Sequence, residues 1–154
     1  VRSFRLFFVG RTKEAYLKEG INLYLKRLVP YSKVEVVEVK EGSGDPSQVM
    51  AQEAERILAQ LGPQAYVVVL DEAGSAKGSV ELSELFQKLS LFGTSHLDFV
   101  VGGAWGIAPA LKERANLKLS FSKFTFTHQM IRLLLVEQLY RAMTLVKGEK
   151  YHNP

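Results

Sequence analysis

Four stretches of this chain carry residues whose types and spacing could do chemistry. In FVVGGAWG (Phe99 to Gly106) glycines follow an apolar run, so backbone amides there can approach a ligand closely. The same glycines would serve any strand-to-helix turn. Their spacing is neither the dinucleotide fingerprint G-x-G-x-x-G nor a Walker phosphate loop, and no ribose-binding acid follows at the expected distance. This disfavours a Rossmann-like oxidoreductase. In Leu119 to Gln129 (LSFSKFTFTHQ) hydroxyls alternate with aromatics. Such a stretch could wrap an adenine and bond its edges, or simply end a strand. Next, His128 and Arg132 stand four apart, as do Glu137 and Arg141, so each pair shares one helix face. Charges inside an apolar helix are costly unless paired or functional. Glu137–Arg141 reads equally as a buried structural ion pair. The last stretch, Gly148 to Pro154, offers Tyr151 and His152, although a chain end is usually frayed and position alone assigns them nothing. His96, beside a strand, reads as structural. Three scattered histidines without cysteine give no metal motif, and no disulfide can form.

The elements that must position these residues alternate between strand and helix. Phe4 to Val9 reads as a strand. Lys13 to Leu28 has helical spacing and stops before Pro30. Val34 to Val39 is a second strand. Asp45 caps a helix with Pro46 in its first turn, running to about Leu61. Ala65 to Leu70 (AYVVVL) is continuously apolar, as in a strand buried on both faces of a parallel sheet. The polar segment DEAGSAKGS reads as a loop, followed by a helix from about Val80 to Leu91. Leu97 to Val101 is the next strand, then the glycine turn and a short helix near Pro109 to Arg114. Leu117 to Phe121 is the last strand, and a helix from about Thr127 to Lys147 closes the chain. The pattern implies an α/β protein with a parallel sheet flanked by helices, in one domain spanning 1–154. The last helix is apolar nearly all round, so it must be buried on several sides. One side can face the sheet and another a second subunit, which points to a homodimer of two-fold symmetry. A central helix in a monomer is the alternative.

Charge is distributed unevenly. Residues 1–33 carry a net +6, residues 34–111 a net −7 and residues 112–154 a net +5. If the ends meet, they make a basic face that would attract nucleic acid; a solvated surface is the plainer reading. With 47% hydrophobic residues the chain can build a core. No stretch reads as a signal peptide or a membrane span, so a soluble, cytoplasmic protein is expected.

Together, VVLDEAG, FVVGGAWG, LSFSKFTFTHQMIRLLLVEQLYRA and KGEKYH, in that order, closely resemble the RlmH family of SPOUT-class methyltransferases. That family methylates N3 of a pseudouridine in bacterial large-subunit (23S) ribosomal RNA. The resemblance covers essentially the whole chain and is most specific from Leu119 to His152. It implies a fold whose C-terminal part threads into a deep trefoil knot, against the general rule. It also implies a homodimer acting on ribosomal RNA, with S-adenosyl-L-methionine (SAM) as cofactor and no metal. By resemblance, SAM would contact Leu70, Gly102, Phe121, Ser122, Lys123, Phe124, Thr125 and Phe126. The family builds a composite site in which the tail of one subunit reaches the cofactor of the other, giving Tyr151 and His152 a function. Arg141 and His128 match motif positions near that site. Two positions depart from the pattern. Thr127 stands where proline is common, and can cap the helix instead. Asn153 stands where a basic residue or histidine is common, which weakens a phosphate grip by the last residues.

These residues suggest a mechanism in which His152, or else His128, accepts the imide proton. Arg141 would stabilise charge developing on the neighbouring carbonyl oxygens. Arg11, Lys13 and Lys18 would hold RNA phosphates. The rival class is a non-catalytic RNA-binding module on the same fold, which would give no calorimetric heat with SAM.

Overall fold

Alternation along each strand decides how this chain layers. In the computed structural model, which describes all 154 residues, Phe4, Leu6 and Phe8 face one side of the sheet while Phe7 and Val9 face the other. The elements are β1 (Ser3–Val9), α1 (Ala15–Leu28), β2 (Lys33–Val39), α2 (Pro46–Leu58), β3 (Tyr66–Ala76), α3 (Ser79–Leu91), β4 (His96–Val101), α4 (Pro109–Arg114), β5 (Leu117–Ser120) and α5 (Met130–Val146). The five strands form one sheet in the order β2-β1-β4-β3-β5, every neighbouring pair parallel. The expected α/β architecture is therefore present. Helices α1, α3 and α5 cover one face and α2 and α4 the other. No helix is long and apolar enough to cross a membrane.

Local chemistry explains some element ends. The Asp45 side chain accepts from Gln48 N at 2.9 Å and Gln48 Oε1 accepts from Asp45 N at 3.0 Å, a reciprocal cap for α2. Thr127 Oγ1 accepts from Met130 N at 3.0 Å, so the residue that replaces proline holds the first N–H of the last helix, whose N-cap position is Gln129. His96 is structural as expected. Its Nε2 lies 2.7 Å from Oδ1 of the fully buried Asp98, which Arg5 also holds through two bonds of 2.9 Å.

Two expectations need correction. The segment after Leu70 is not a loop, because β3 continues to Ala76. The register against β5 shifts between Leu70 and Ser75, where a bulge forms and pairing resumes at Leu119 and Ser120. Apolar periodicity cannot reveal this extension, since its polar side chains lie past the buried sheet and its backbone pairing leaves no apolar pattern. Close approach at Gly74 is what permits it: a Cβ there would stand 2.6 Å from Lys118 O. Gly74→Ala should therefore cost about 1–3 kcal/mol of stability by forcing β5 outward, read as a lower urea midpoint. An unchanged midpoint would show that the strand gives way freely.

The second correction concerns α5. It sits centrally, with Leu135, Val136, Leu139, Ala142 and Met143 buried against the sheet and α1 and α3 packed beside it. The chain thus encloses more of this helix by itself than its all-round apolar pattern suggested. Ile131, Leu133, Leu134, Glu137, Gln138 and Arg141 remain half-buried. Residues 121–129 lead from the edge strand β5 across the carboxyl ends of β3 and β4 to the segment after β1, where Gln129 meets Arg11 and Lys13. The chain then descends between α1 and α3, a path of the kind that the implied knot requires.

Candidate active site

Where the parallel strands end, their last residues and the segments that follow enclose a cleft of about 990 Å³. Leu70, Val101 and Leu119 form its floor; the glycine turn, residues 121–129 and the start of α1 form its walls. Carboxyl ends of parallel strands are where open α/β sheets bind ligands. Gly102 is required by close packing. A Cβ there would stand 2.8 Å from Gly106 O and 2.8 Å from Ile107 Cδ1. Gly106 holds φ at +90°, and its N–H donates to Gly103 O at 3.1 Å, which closes a tight turn.

The wall from Phe121 to Thr127 is fixed by short bonds. Ser120 Oγ donates to Ser122 O at 2.9 Å, and Ser122 Oγ accepts from Phe124 N at 3.0 Å. Thr125 Oγ1 donates to Glu72 Oε2 at 2.8 Å, tying this wall to the β3 extension. Asp71 also faces the cleft, 3.6 Å from Lys112 Nζ. His128 lines the cleft half-buried. Burial first, then the nearby Arg132 and Lys13 charges, pushes its pKa below the ordinary histidine value, against a weaker pull from Glu41. Gln129 secures the entry to α5, accepting from Lys13 N at 2.9 Å and donating to Arg11 O at 3.3 Å. Arg132 does not face the cleft. It is fully buried and donates to Val9 O, Gly10 O and Thr12 Oγ1 at 2.5, 2.9 and 3.1 Å.

A second cluster lies at the far end of α5. Glu137 Oε1 accepts from Arg141 Nε at 3.0 Å and Nη2 at 2.5 Å, and from Tyr151 OH at 3.0 Å. Arg141 also stacks over the Tyr151 ring, 4.8 Å from its centroid. Its Nη1 donates to His152 Nδ1 at 3.1 Å. Because arginine only donates, this bond requires Nδ1 to be unprotonated, and neutral His152 then carries its proton on Nε2. Desolvation and bonds to Tyr24 and Glu137 raise the Tyr151 pKa, so its hydroxyl stays protonated. Tyr31 donates to Glu149 Oε2 at 2.5 Å, which lifts the Tyr31 pKa to about 12 and tethers the tail to the chain's own helices.

The model of a family described as "Predicted SPOUT methyltransferase" matches residues 3–152. A protein of Bacillus pumilus named ribosomal RNA large subunit methyltransferase H is 44% identical over 152 residues, covering 94% of this chain and 96% of its own. Proteins of that name from Carboxydothermus hydrogenoformans (42% over 152 residues, 94% of this chain and 96% of its own) and Symbiobacterium thermophilum (45% over 158 residues, 97% and 98%) are similar to it over nearly their full lengths. This chain belongs to the RlmH family of SPOUT methyltransferases.

Against that family's implied cofactor contacts, the fold brings Leu70, Gly102, Phe121, Ser122, Phe124, Thr125 and Phe126 to one cleft. Lys123 is outside the lining. The Ser122–Phe124 turn puts it at a corner, where it is exposed to solvent. Sequence reasoning missed Asp71 and Glu72, because the β3 extension that carries them looked like a loop. It also missed the wall at the start of α1, Glu14, Tyr16 and Leu17, whereas Ser120 and Gln129 fall within the hydroxyl-aromatic stretch it singled out. Among the residues implied for RlmH catalysis, only His128 lines this cleft. At about 1.5 Å per residue, Arg141 lies roughly 16 Å farther along α5 than Met130, and Tyr151 and His152 stay with it.

Proposed function

We propose that this chain methylates N3 of a pseudouridine in large-subunit ribosomal RNA, in the cytoplasm, as a homodimer that holds SAM in the cleft. The observation that carries this reading is the junction of the Gly102 turn with residues 121–126 around one cavity. The residues suit SAM. The cavity is at the large end of small-molecule sites. Gly102 lines the cavity with bare backbone, because its own turn packs too closely for a side chain. Leu70, Ile107, Leu119 and Phe121 supply an apolar lining, while Asp71 and Glu72 offer carboxylates suited to a ligand bearing positive charge.

SAM, when bound, supplies an activated methyl group on a sulfonium. The tasks left to the chain are alignment, exclusion of water and removal of one proton. Phe121 and Phe126 help keep the cleft dry. The Arg141, Tyr151 and His152 cluster would enter the cleft of the other subunit, where Arg141 stabilises charge on the nucleobase oxygens. For His152 to accept a proton, Nδ1 must leave Arg141, because Nε2 already carries a hydrogen in the docked state. His128 is the second reading, favoured by its place in the cleft and its lowered pKa, which keep it neutral and able to accept at neutral pH. Arg11, Lys13 and Lys18, all exposed, would grip phosphates.

Calorimetric titration with SAM, paired with transfer of labelled methyl to ribosomes, tests the reading. Heat and label together are the expected result; RNA binding without SAM heat would leave only a binding module. The lowered His128 pKa gives a further prediction. A histidine whose folded pKa lies below its unfolded value, 6.5, contributes stability that is complete above 6.5 and is lost as pH falls below it. Wild type should therefore lose more stability than His128→Gln between pH 7.5 and 5 (about 2.5 pH units across this window). Equal losses in chemical denaturation would remove His128 as the titrating group.

A further inference from the structure

Exposed aromatic rings on this molecule are not scattered. Of the five, Tyr16, Phe92, Trp105, Phe124 and Phe126, all but Phe92 line the cleft. Trp105 is 59% exposed, Tyr16 60% and Phe124 77%. Trp105 stands at the tip of the two-residue turn closed by the Gly103–Gly106 bridge, so its backbone is held rigidly at the mouth. Large aromatic side chains ordinarily bury much of their surface, and a cluster left open marks a binding surface. Exposed cations stand near two of these rings in sequence: Lys13 and Lys18 lie on either side of Tyr16, with Glu14 and Glu19 among them, and Lys123 precedes Phe124. Interleaved aromatic and basic side chains suit single-stranded nucleic acid, whose bases stack while its phosphates pair.

The chemistry of the target explains why such a rim is needed. N3 of a pseudouridine lies on its Watson–Crick edge, which pairing would cover. The nucleotide must therefore be unpaired to react, and leaving its stack exposes the faces of its neighbours. We infer that Trp105, with Tyr16 and Phe124, forms a stacking rim for the unpaired bases that flank the nucleotide in the cleft. This inference rests on the function proposed above and adds how the RNA is presented: as an opened single strand, not a duplex.

Trp105 is the only tryptophan in the chain, so its emission reports on the rim directly. The probe is a single-stranded oligouridylate of about ten nucleotides, with saturating SAM, compared with the same strand annealed to oligoadenylate. Quenching by the single strand and not by the duplex is expected. Trp105→Ala should bind a labelled single strand about tenfold more weakly, the scale of one lost base stack. It should keep its calorimetric heat with SAM, and Trp105→Phe should recover most of the affinity. Unchanged strand affinity in Trp105→Ala, or equal quenching by the duplex, would overturn the inference. So would loss of the SAM heat in Trp105→Ala, which would assign the indole to the cofactor. An emission shift on diluting the protein alone would also overturn it, placing the indole between two copies of the chain. Failure of the proposed function reads differently, as absent methyl transfer by the wild-type protein.

Discussion

Co-expressed chains carrying Gly102→Ala and chains carrying His152→Ala should recover methyl transfer that neither performs alone. Each substitution disables one half of the proposed site. A Cβ at Gly102 collides with backbone and side-chain atoms of its own turn, 2.8 Å from each, and distorts the cradle. Loss of His152 would remove the proposed proton acceptor, an effect on the order of 10²–10⁴-fold in rate. The recovery follows from where the two halves lie. Arg141, Tyr151 and His152 are bonded together on the distal part of α5 and do not line the cleft of their own chain. If the tail serves the partner, a mixed dimer holds one intact site and one doubly damaged site. Random pairing of equal amounts then gives roughly one quarter of wild-type activity in a two-fold dimer. If cleft and tail serve the same chain, every site in the mixed dimer is damaged and nothing is recovered. Mixed dimers isolated through two different tags and assayed for methyl transfer decide between these outcomes. An inactive mixed dimer that still binds SAM would end the composite-site proposal.

The tail also shows what a sequence can and cannot say. Tyr151 and His152 sit where chains usually fray. Neither composition nor periodicity distinguishes a docked tail from a loose one, because bonds that dock it reach back to Tyr24 and Tyr31, far away in sequence. The sheet was legible for the opposite reason. AYVVVL needs both faces covered, and this requirement is local. The continuation of β3 was hidden because backbone pairing carries no side-chain signature. Residue types alone marked the Gly102 turn and residues 121–126 only as stretches that could meet a ligand, and family resemblance supplied SAM as that ligand. The fold supplies the physical account, since β4 and β5 deliver both segments to the same end of the sheet. Helical spacing placed His128 and Arg132 on one helix face, but α5 begins only at Met130, so His128 lies in the turn before it and the two side chains part. His128 lines the cleft, whereas Arg132 turns inward to the end of β1.

That inward arginine carries the second large effect. Arg132 is 0% exposed, lies 4.9 Å above the Phe8 ring, and has no carboxylate within salt-bridge reach; its Nε has no hydrogen-bond partner. Burial lowers its pKa, so its charge is held at a cost. Arg132→Ala should lose about 3–5 kcal/mol, because a cavity opens and the carbonyls of Val9 and Gly10 lose their donor together. Arg132→Met keeps most of the volume and removes the desolvated charge, which offsets part of the orphaned-carbonyl penalty of about 1–3 kcal/mol per group. Its loss should be less than half that of alanine. Binding should respond differently from stability. The guanidinium ties Val9, Gly10 and Thr12 to the first turn of α5, and the next residues along, Glu14, Tyr16 and Leu17, form a cleft wall. Releasing that tie loosens the wall in both variants, so Arg132→Met should be a fairly stable protein with weakened SAM affinity. Urea unfolding and calorimetric titration read the two quantities separately. A methionine variant that binds SAM as wild type does would reduce Arg132 to a packing role and detach it from the cleft.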